Sequence, residues 1–359
     1  MDKTVKLILE DGSEYTGYSF GYEKAAAGEL VFYTAMTGYP ESLTDPSYKG
    51  QILVPTYPMI GNYGVPENHV VEGISQNFES DKIHCAALVI ANYSHQYSHW
   101  SSNRSLGEWL KEQKVPGLYG IDTRALTQKL RDEGAMLGKV VFDEDIDFYD
   151  PNQENLVAQV TCDKVQEYGH GKYRVLLVDC GLKNNIMRCL LKYDVTLIRV
   201  PWDYDYKDVD YDGLFISNGP GDPAKCAVAV DHLKRALAEE RPIMGICLGN
   251  QLLALAAGAT TYKLKYGHRG HNQPVVIPGT NRCFITSQNH GYAIDNATLP
   301  DDWIASFLNL NDGTNEGLRH KSKPFFSTQF HPEASSGPVD TMGLFGEFID
   351  NIKNYKSQQ

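Results

Sequence analysis

The sequence predicts an α/β protein whose C-terminal part is an open, mostly parallel sheet with helices on both faces, preceded by a β-rich α+β domain. Over residues 174–257, short apolar runs alternate with helix-like segments, which is typical of a parallel sheet covered on both faces. Over residues 5–20, two strand-like runs flank a Gly-containing turn, which favours a hairpin. A length of 359 residues is enough for about two domains.

The N-terminal domain is predicted over residues 1–150. Its strands are expected at residues 5–9, 15–20, 30–32, 51–55 and 86–90, and its helices at residues 105–113 and 123–133. Asp122 or Thr123 could cap the second helix, because their side-chain oxygens can accept from the first free N–H groups. Residues 142–153 are acidic and weakly patterned, so we expect a domain boundary there and a linker over residues 151–172.

The C-terminal domain is predicted over residues 173–359. Its alternating elements are strands at residues 174–179, 195–200, 213–217 and 242–246, helices at 184–192, 228–240 and 251–257, and short strands at 283–286, 303–308 and 325–330. Ligands of such sheets bind beyond the carboxyl ends of the strands. Asn218, Cys247 and His331 each follow a strand end, which makes them candidates for a site.

Composition excludes several classes of partner. The formal net charge is −12, with no basic cluster, so we expect no nucleic-acid partner. Residues 242–262 are uncharged, but they contain Asn250, Gln251 and three glycines, which argues against a membrane span; the first six residues lack the apolar core of a signal peptide. Seven scattered cysteines without a CxxC pair favour a reduced, cytoplasmic protein with no membrane partner.

Residues 245–249, Gly-Ile-Cys-Leu-Gly, are the strongest chemical signal. An apolar strand leads into this run and a helix-like segment follows it, as in a nucleophile elbow with sulfur in place of oxygen. Small residues on both sides of Cys247 allow the tight turn, and a helix start beside the thiol favours the thiolate. A cysteine nucleophile attacks carbonyl carbon, so the run predicts acyl transfer. A cysteine peptidase, an esterase and an amidase all remain possible at this point.

A base for the cysteine is predicted at His331, which follows an apolar run and precedes Pro332 and Glu333. The two-residue spacing can bring the carboxylate to the imidazole, so that Glu333 holds one tautomer while His331 takes the thiol proton. An isolated His–Glu pair near a strand end is more often a surface ion pair. The glycine-flanked cysteine at another strand end makes the catalytic interpretation the stronger one.

Two further loops follow strands. Residues 218–223, Asn-Gly-Pro-Gly-Asp-Pro, are either a simple turn or an oxyanion site, because glycines let backbone N–H groups approach a ligand. Lys225 lacks the flanking Gly and Ser or Thr of a Walker loop, so we expect no ATP site here. Residues 288–292, Gln-Asn-His-Gly-Tyr, are uncharged and rich in hydrogen-bonding groups, which suits a small zwitterion.

Metal binding is not expected. His95 and His99 have i,i+4 spacing and His268 and His271 have i,i+3 spacing, but neither pair has a convincing third ligand nearby. Ordinary loop or surface histidines are the favoured interpretation of both pairs.

Taken together, residues 245–251, 331–333 and 218–223 resemble a class I, triad-type glutamine amidotransferase domain. The N-terminal part narrows the resemblance: residues 32–48, 61–64 and 121–124 are similar to the glutaminase subunit of carbamoyl phosphate synthetase, and so are residues 266–274 and 287–292. The resemblance extends over nearly the whole chain. Other triad amidotransferases, such as those serving anthranilate, GMP or CTP synthesis, share only the second half and remain the nearest alternative.

The resemblance implies hydrolysis of L-glutamine to glutamate and ammonia through a glutamyl thioester on Cys247. His331 would act as general acid and base, Glu333 would orient His331, and the N–H groups of Gly219 and Leu248 would form the oxyanion hole. The residues implied to hold the substrate's amino, carboxylate and backbone atoms are Ser47, Gly221, Gln251, Asn289, Gly291 and Tyr292.

The resemblance also implies a partner. Ammonia would pass to a separate large synthetase subunit that binds ATP, Mg²⁺ and bicarbonate for carbamoyl phosphate synthesis, which serves arginine and pyrimidine biosynthesis. No cofactor or metal is expected in this chain, in agreement with the missing phosphate loop. A docking module that has lost catalysis is a further alternative, but Cys247, His331 and Glu333 are all present.

Overall fold

The computed structural model describes residues 3–358, which form two compact units, one ending at Glu154 and the other beginning at Asn155. Residues 151–172, expected as a linker, carry 3₁₀ turns at Pro151–Gln153 and Val157–Gln159 and a strand at Gln166–Tyr168. This strand pairs with a strand of the second unit. Residues 155–172 of the expected linker therefore belong to the second unit, and Gln166–Tyr168 forms an edge strand of its sheet.

The first unit is rich in short strands, as the sequence predicts. Its strands are β1 (Thr4–Leu9), β2 (Glu14–Ser19), β3 (Ala26–Tyr33), β4 (Gln51–Pro55), β5 (Met59–Ile60), β6 (Val65–Pro66), β7 (Val70–Val71), β8 (Ile74–Ser75), β9 (Ala87–Val89), β10 (Asn92–Tyr93), β11 (Ser102–Arg104), β12 (Gly117–Tyr119) and β13 (Met136–Val141). Its helices are α1 (Tyr39–Thr44), α2 (Leu106–Glu112) and α3 (Thr123–Glu133).

A closed barrel organises this unit, in the strand order β1-β13-β3-β4-β9-β12-β2. Leu7, Leu9 and Ile52 are fully buried and meet around Gly138, because alternate residues of each strand point to one face. On the other face, Leu53 packs in a second cluster with residues that include Trp109 of α2. The closure of the sheet was not foreseen, since pairing of β13 with both β1 and β3 joins segments far apart in the chain.

The second unit contains β14 (Gln166–Tyr168), β15 (Tyr173–Asp179), β16 (Val195–Pro201), β17 (Gly213–Ile216), β18 (Ile243–Ile246), β19 (Thr261–Val276), β20 (Cys283–Ile294), β21 (Trp303–Asn309), β22 (Asn315–His320) and β23 (Phe325–Thr328). Its helices are α4 (Asn184–Leu190), α5 (Ala227–Glu239), α6 (Leu248–Ala257) and α7 (Gly343–Ser357).

The ten strands form one open sheet in the order β14-β16-β15-β17-β18-β23-β22-β21-β19-β20. The central strands β16, β15, β17, β18 and β23 are parallel, whereas the strands on either side pair antiparallel. The expected open α/β sheet is thus present, and its parallel character belongs to its centre. Because β15, β17, β18 and β23 run in the same direction, the residues that follow them meet at one edge.

Helices cover both faces of the parallel part. Leu214 and Ile216 of β17 pack in a cluster with residues of α5 and α6, whereas Phe215 contacts Phe345 and Phe348 of α7. Alternation along a strand sends neighbouring side chains to opposite faces, so these contacts place α7 across the sheet from α5 and α6. No helix within residues 3–358 combines the length and the apolar character that crossing a membrane requires.

Several elements of the second unit were missed by sequence reasoning. β19 is a 16-residue strand whose pairing with β20 is interrupted by two register shifts, and its mixture of glycine, charge and proline shows no simple alternation. β20 extends to Ile294, well beyond the expected residues 283–286. It therefore includes residues 288–292, which the sequence suggested as a loop.

Candidate active site

Cys247 lies at the sharp turn between β18 and α6. Its backbone has φ 54° and ψ −105°, a conformation that a residue with a side chain rarely adopts and that the surrounding structure must maintain. The N–H of Cys247 donates to the carbonyl of Thr328 at 2.8 Å, so β23 holds the turn from one side. This is the strand–turn–helix geometry of a nucleophile elbow.

The two flanking glycines are required by close backbone contacts. A Cβ on Gly245 would lie 2.6 Å from the carbonyl oxygen of Gly249, and a Cβ on Gly249 would lie 2.3 Å from that of Ile216. Both distances are far below van der Waals contact, so α6 can approach β17 and β18 only where side chains are missing.

His331 follows β23 and lies beside the elbow. Its N–H donates to the carbonyl of Ser287 at 2.9 Å, and its Nδ1 lies 2.6 Å from Oε1 of Glu333. Within residues 3–358, Nε2 of His331 is buried without a hydrogen-bond partner, which leaves it available to the thiol. Sγ of Cys247 donates to the carbonyl oxygen of Asn289 at 3.6 Å.

The charge on Glu333 sets the electrostatics of the pair. Burial disfavours the imidazolium, but the nearby carboxylate outweighs burial and, with a contribution from the Cys247 thiol, raises the pKa of His331. Burial also disfavours the carboxylate, yet Lys183 and His331 together lower the pKa of Glu333. The arrangement favours an ionised carboxylate and stabilises the imidazolium that forms when His331 takes the thiol proton.

Lys183 is a member of this cluster that sequence reasoning missed. Its Nζ lies 3.0 Å from Oε1 of Glu333 and donates to the carbonyl of Ala334 at 2.7 Å, and both charged side chains are buried. Lys183 precedes α4, about 150 residues before Glu333 in the chain. Its only signal in the sequence is a charged residue just after a buried strand, where a parallel sheet carries its sites.

The two expected oxyanion donors lie after the ends of neighbouring strands, β17 and β18. Leu248 is the first residue of α6, where a backbone N–H has no partner inside the helix. Gly219 follows β17, and a Cβ there would lie 2.8 Å from the Leu248 side chain. Within residues 3–358, neither N–H donates a hydrogen bond, so both are available to a ligand. The geometry suits stabilisation of a developing oxyanion.

The amide side chains near Cys247 form a connected group. Gln251 donates through Nε2 to the carbonyl of Tyr292 at 2.9 Å and to Oε1 of Gln329 at 3.1 Å. Asn250 donates to the same oxygen of Gln329 at 3.1 Å. Gln329 was not a candidate from the sequence, although it lies two residues before His331. The group ties α6 to the segment of β20 that carries Asn289 and Tyr292.

The remaining candidates occupy separate places. Gly221 has φ +84°, which favours glycine at this turn. Gly291 lies in β20, where a Cβ would meet Nη2 of Arg269 at 3.2 Å. Ser47 belongs to the first unit, on a 3₁₀ turn where its N–H donates to Oδ1 of Asp45 at 2.9 Å.

The histidine pairs differ in burial. His95 and His99 are exposed, as expected, but His268 is buried in β19, where Nε2 lies 2.8 Å from Asp312 and Nδ1 lies 3.2 Å from Glu316. The expectation of a loop or surface residue was wrong for His268, because it lies in β19, a strand that the sequence did not predict, and its side chain is buried. Side-chain atoms of His268, His290 and Glu316 lie within 4.8 Å of one another.

Hydrogen bonding accounts for this cluster. Burial opposes a charge on His268, but Asp312 and Glu316 outweigh it and raise the pKa of His268 to about 9. Nδ1 of His290 lies 2.8 Å from the carbonyl of Tyr292, and burial lowers the pKa of His290. We interpret the cluster as a charge-assisted network behind the β20 segment.

Two protein families match the chain. Residues 176–351 match the family described as glutamine amidotransferase class-I, and residues 7–140 match the CPSase domain of the carbamoyl-phosphate synthase small chain. The two matches fall in different compact units, and all three residues of the candidate triad lie in the first of these matches.

Curated relatives show the same pattern. The chain is 51% identical over 372 residues to the multifunctional protein pyr1-3 of Dictyostelium discoideum, covering 96% of this chain and 17% of that protein. It is 51% identical over 358 residues to the multifunctional protein CAD of Squalus acanthias, covering 98% and 16%. It is 49% identical over 360 residues to the mitochondrial carbamoyl-phosphate synthase [ammonia] of Mus musculus, covering 99% and 24%. The chain therefore spans only 16 to 24% of the length of these relatives.

Proposed function

We propose a function for this chain from the premise that it belongs to the carbamoyl-phosphate synthase small chain family and carries a class I glutamine amidotransferase domain. The chain hydrolyses L-glutamine to glutamate and ammonia as the glutaminase component of a glutamine-dependent carbamoyl-phosphate synthase. The observation that carries the proposal is the buried array of Cys247 on a strained elbow, His331 beside it and Glu333 at 2.6 Å from the imidazole.

Thioester formation follows from this array. Nε2 of His331 takes the thiol proton, and Sγ of Cys247 attacks the side-chain amide carbon of glutamine. The N–H groups of Gly219 and Leu248 stabilise the negative oxygen of the tetrahedral intermediate. His331 then returns its proton to the amide nitrogen, the C–N bond breaks, and ammonia leaves a glutamyl thioester behind.

Hydrolysis regenerates the thiol. His331 accepts a proton from water, the resulting hydroxide attacks the thioester carbon, and the C–S bond breaks to release glutamate while His331 returns its proton to the departing sulfur. Glu333 keeps the Nδ1–H of His331 oriented through both halves of the reaction. Gly221, Gln251, Asn289, Gly291, Tyr292 and Ser47 remain the residues proposed to hold glutamine.

The partner is a carbamoyl-phosphate synthetase component that consumes the ammonia with ATP and bicarbonate. Support comes from the match of residues 7–140 and from the relatives, in which the matching region is a small part of a much longer protein. ATP and Mg²⁺ belong to that component in this proposal. The ammonia must be delivered unprotonated, because only the free base attacks an electrophile.

A cytoplasmic location is likewise a proposal. Free thiols at all seven cysteines support a reducing compartment, whereas the mouse relative carries a mitochondrial name.

The test is a Cys247→Ser variant assayed with the synthetase component. We expect synthesis from glutamine to fall to background while synthesis from ammonia continues, since only the thioester chemistry is removed. Cys283→Ser, which changes an exposed cysteine of the same unit, is the matched control and should keep both activities. Full glutamine-dependent synthesis by Cys247→Ser would refute the proposal.

Two other functions are separable from this one. The mouse relative is named for ammonia, which raises the possibility of a docking module that does not use glutamine. A diazo-ketone analogue of glutamine should label Cys247 in a working glutaminase, and lack of labelling in the complex would favour the docking module. Capture of an anthranilate, GMP or CTP synthase in place of the synthetase component would favour another amidotransferase.

A further inference from the structure

Asp179 is a buried carboxylate outside the proposed triad that accepts an unusual number of hydrogen bonds. It ends β15 and is fully buried. Oδ2 accepts from Nε and Nη2 of Arg199 at 2.8 and 2.6 Å and from the N–H of Cys162 at 2.9 Å. A buried carboxylate is costly unless it is paired and hydrogen-bonded in this way, so the surrounding structure is organised around it.

The other oxygen of Asp179 holds the turn that leads from β15 to α4. Oδ1 accepts from the N–H groups of Gly181 and Leu182, both at 2.9 Å. Two charge-assisted bonds from consecutive residues fix the direction of the chain at the carboxyl edge of the sheet. Residues 180–183, which we call the β15 turn, are thereby tied to a single side chain.

The β15 turn contacts residues 218–223, which we call the oxyanion loop, and the residue before them. The N–H of Cys180 donates to Oγ of Ser217 at 2.9 Å, and this hydroxyl donates to the carbonyl of Asn218 at 2.8 Å. The carbonyl oxygen of Cys180 lies 2.1 Å from the position of a Cβ on Gly219. Main chain therefore packs on main chain at Gly219, and a shift of the turn moves the proposed oxyanion donor.

The β15 turn ends at Lys183, the lysine that pairs with Glu333 of the proposed triad. The N–H of Lys183 donates to Oδ1 of Asn218 at 3.1 Å, and Nζ of Lys183 lies 3.0 Å from Oε1 of Glu333. One rigid turn thus sets the position of Gly219 on one side and the charge next to Glu333 on the other.

We infer that Asp179 is a positioning residue for the glutaminase reaction, acting through the β15 turn on both the oxyanion donor Gly219 and the Lys183–Glu333 pair. This inference rests on the proposed function. Its effect belongs to the transition state, because both targets act on charge that develops during thioester formation. Loss of the positioning should therefore lower kcat and leave the KM for glutamine almost unchanged.

The test compares Asp179→Asn with Asp212→Asn in the full chain together with the synthetase component, with ammonia release from L-glutamine as the readout. Asp212 is a matched control, because it is a buried carboxylate next to the opposite end of β17 that accepts from the N–H of Arg174 at 2.8 Å and pairs with Lys356 at 2.8 Å. In Asp179→Asn, the new NH2 group faces N–H donors whichever oxygen it replaces, so the side chain cannot keep its bonds both to Arg199 and Cys162 and to the β15 turn.

We expect Asp179→Asn to lower kcat roughly 10- to 100-fold with KM within about threefold, and Asp212→Asn to keep both near the wild-type values. The double variant Asp179→Asn/Arg199→Leu removes the opposing guanidinium and should recover part of kcat. An unchanged kcat in Asp179→Asn, equal losses in the two single variants, a loss confined to KM or no recovery in the double variant would each overturn the inference.

Ser217→Ala covers the case in which Asp179→Asn does not fold. It removes only the hydroxyl that links Cys180 to Asn218, and it should lower kcat by several-fold with KM retained; an unchanged kcat would refute the inference. The wild-type assay distinguishes failure of the proposed glutaminase function from failure of the inference about Asp179. No ammonia release by the wild-type complex would defeat the glutaminase function and this inference with it, whereas normal wild-type release with unaffected variants would defeat the inference alone.

Discussion

At the scale of single residues, the candidate site depends on groups held in costly states. Cys247 has a positive φ, and Lys183, Glu333 and His331 place three ionisable side chains in the interior. Such states persist only where neighbouring groups compensate for them, and they concentrate at functional sites. The glycines around Cys247 and the salt bridge from Lys183 are those compensations here.

Replacement of Glu333 by Gln tests the orientation of the base. The amide keeps the shape of the side chain but removes the charge that raises the pKa of His331, so burial then disfavours its protonated form. We expect kcat for glutamine hydrolysis to fall by about 10²- to 10⁴-fold with little change in KM. Glu347→Gln, which alters a half-exposed carboxylate paired with Arg319, is the control and should be silent. Wild-type kcat in Glu333→Gln would remove Glu333 from the mechanism.

At the scale of elements, the elbow and the β19–β20 hairpin differ in how they are stabilised. The elbow brings α6 against β17 and β18 by omitting side chains, whereas the hairpin places polar groups inward and neutralises them in a network. In both places the backbone departs from regular geometry near the site. Some of its N–H and carbonyl groups are then not used in the hydrogen bonds of a regular strand or helix.

The close approach at the elbow predicts a stability effect for Gly249→Ala. Its Cβ would lie 2.3 Å from the Ile216 carbonyl, so α6 or β17 must shift, and the free energy of unfolding should fall by about 1–3 kcal/mol. Gly343→Ala is the matched control, because Gly343 also lies in the first turn of a helix and a Cβ there meets nothing within 4 Å. Denaturant titration would measure both, and equal stability of the two variants would contradict the packing argument.

The hairpin predicts a stability effect of pH. The pKa of His268 is raised from 6.5 to about 9 in the folded chain, so its contribution to stability is complete below pH 6.5 and is lost as the pH rises through 9. The free energy of unfolding of the wild type should therefore exceed that of His268→Gln by more at pH 6.5 than above pH 9. The titratable groups that face His268 are Asp312, Glu316 and His290. Burial lowers the pKa of His290 and so favours its neutral form. A stability difference that does not vary between pH 6.5 and 9 would show that His268 is neutral.

At the scale of the whole molecule, the chain has a barrel unit and a unit that matches the class I glutamine amidotransferase family, and its relatives are much longer than the matched region. A glutaminase that worked without its partner would waste glutamine. Under the proposed function, control by the synthetase component is therefore an expected property.

We expect ammonia release from glutamine to be slow for the chain alone and to rise at least several-fold when the synthetase component is added. Cys247→Ser with the same component sets the background, and an unrelated acidic protein at equal concentration controls for non-specific effects. An unchanged rate on addition of the synthetase component would show that this chain is not regulated by its partner.

The proposed nucleophile, base and orienting carboxylate could all be predicted from the sequence, because Cys247, His331 and Glu333 lie in short motifs whose chemistry depends on neighbouring residues. The sequence by itself also determined the parallel strands that bring these motifs to one edge, since their apolar runs are local and regular. The contacts of Lys183, Gln329 and Glu316, and the position of Asp179 next to the turn that packs on Gly219, are evident in the three-dimensional structure alone. The physical reason is distance along the chain: each of these depends on contacts between segments that carry no mutual signal in the sequence, such as the Lys183–Glu333 pair. The closed barrel and the buried strand β19 were hidden for the same reason, because pairing partners and not local pattern create them.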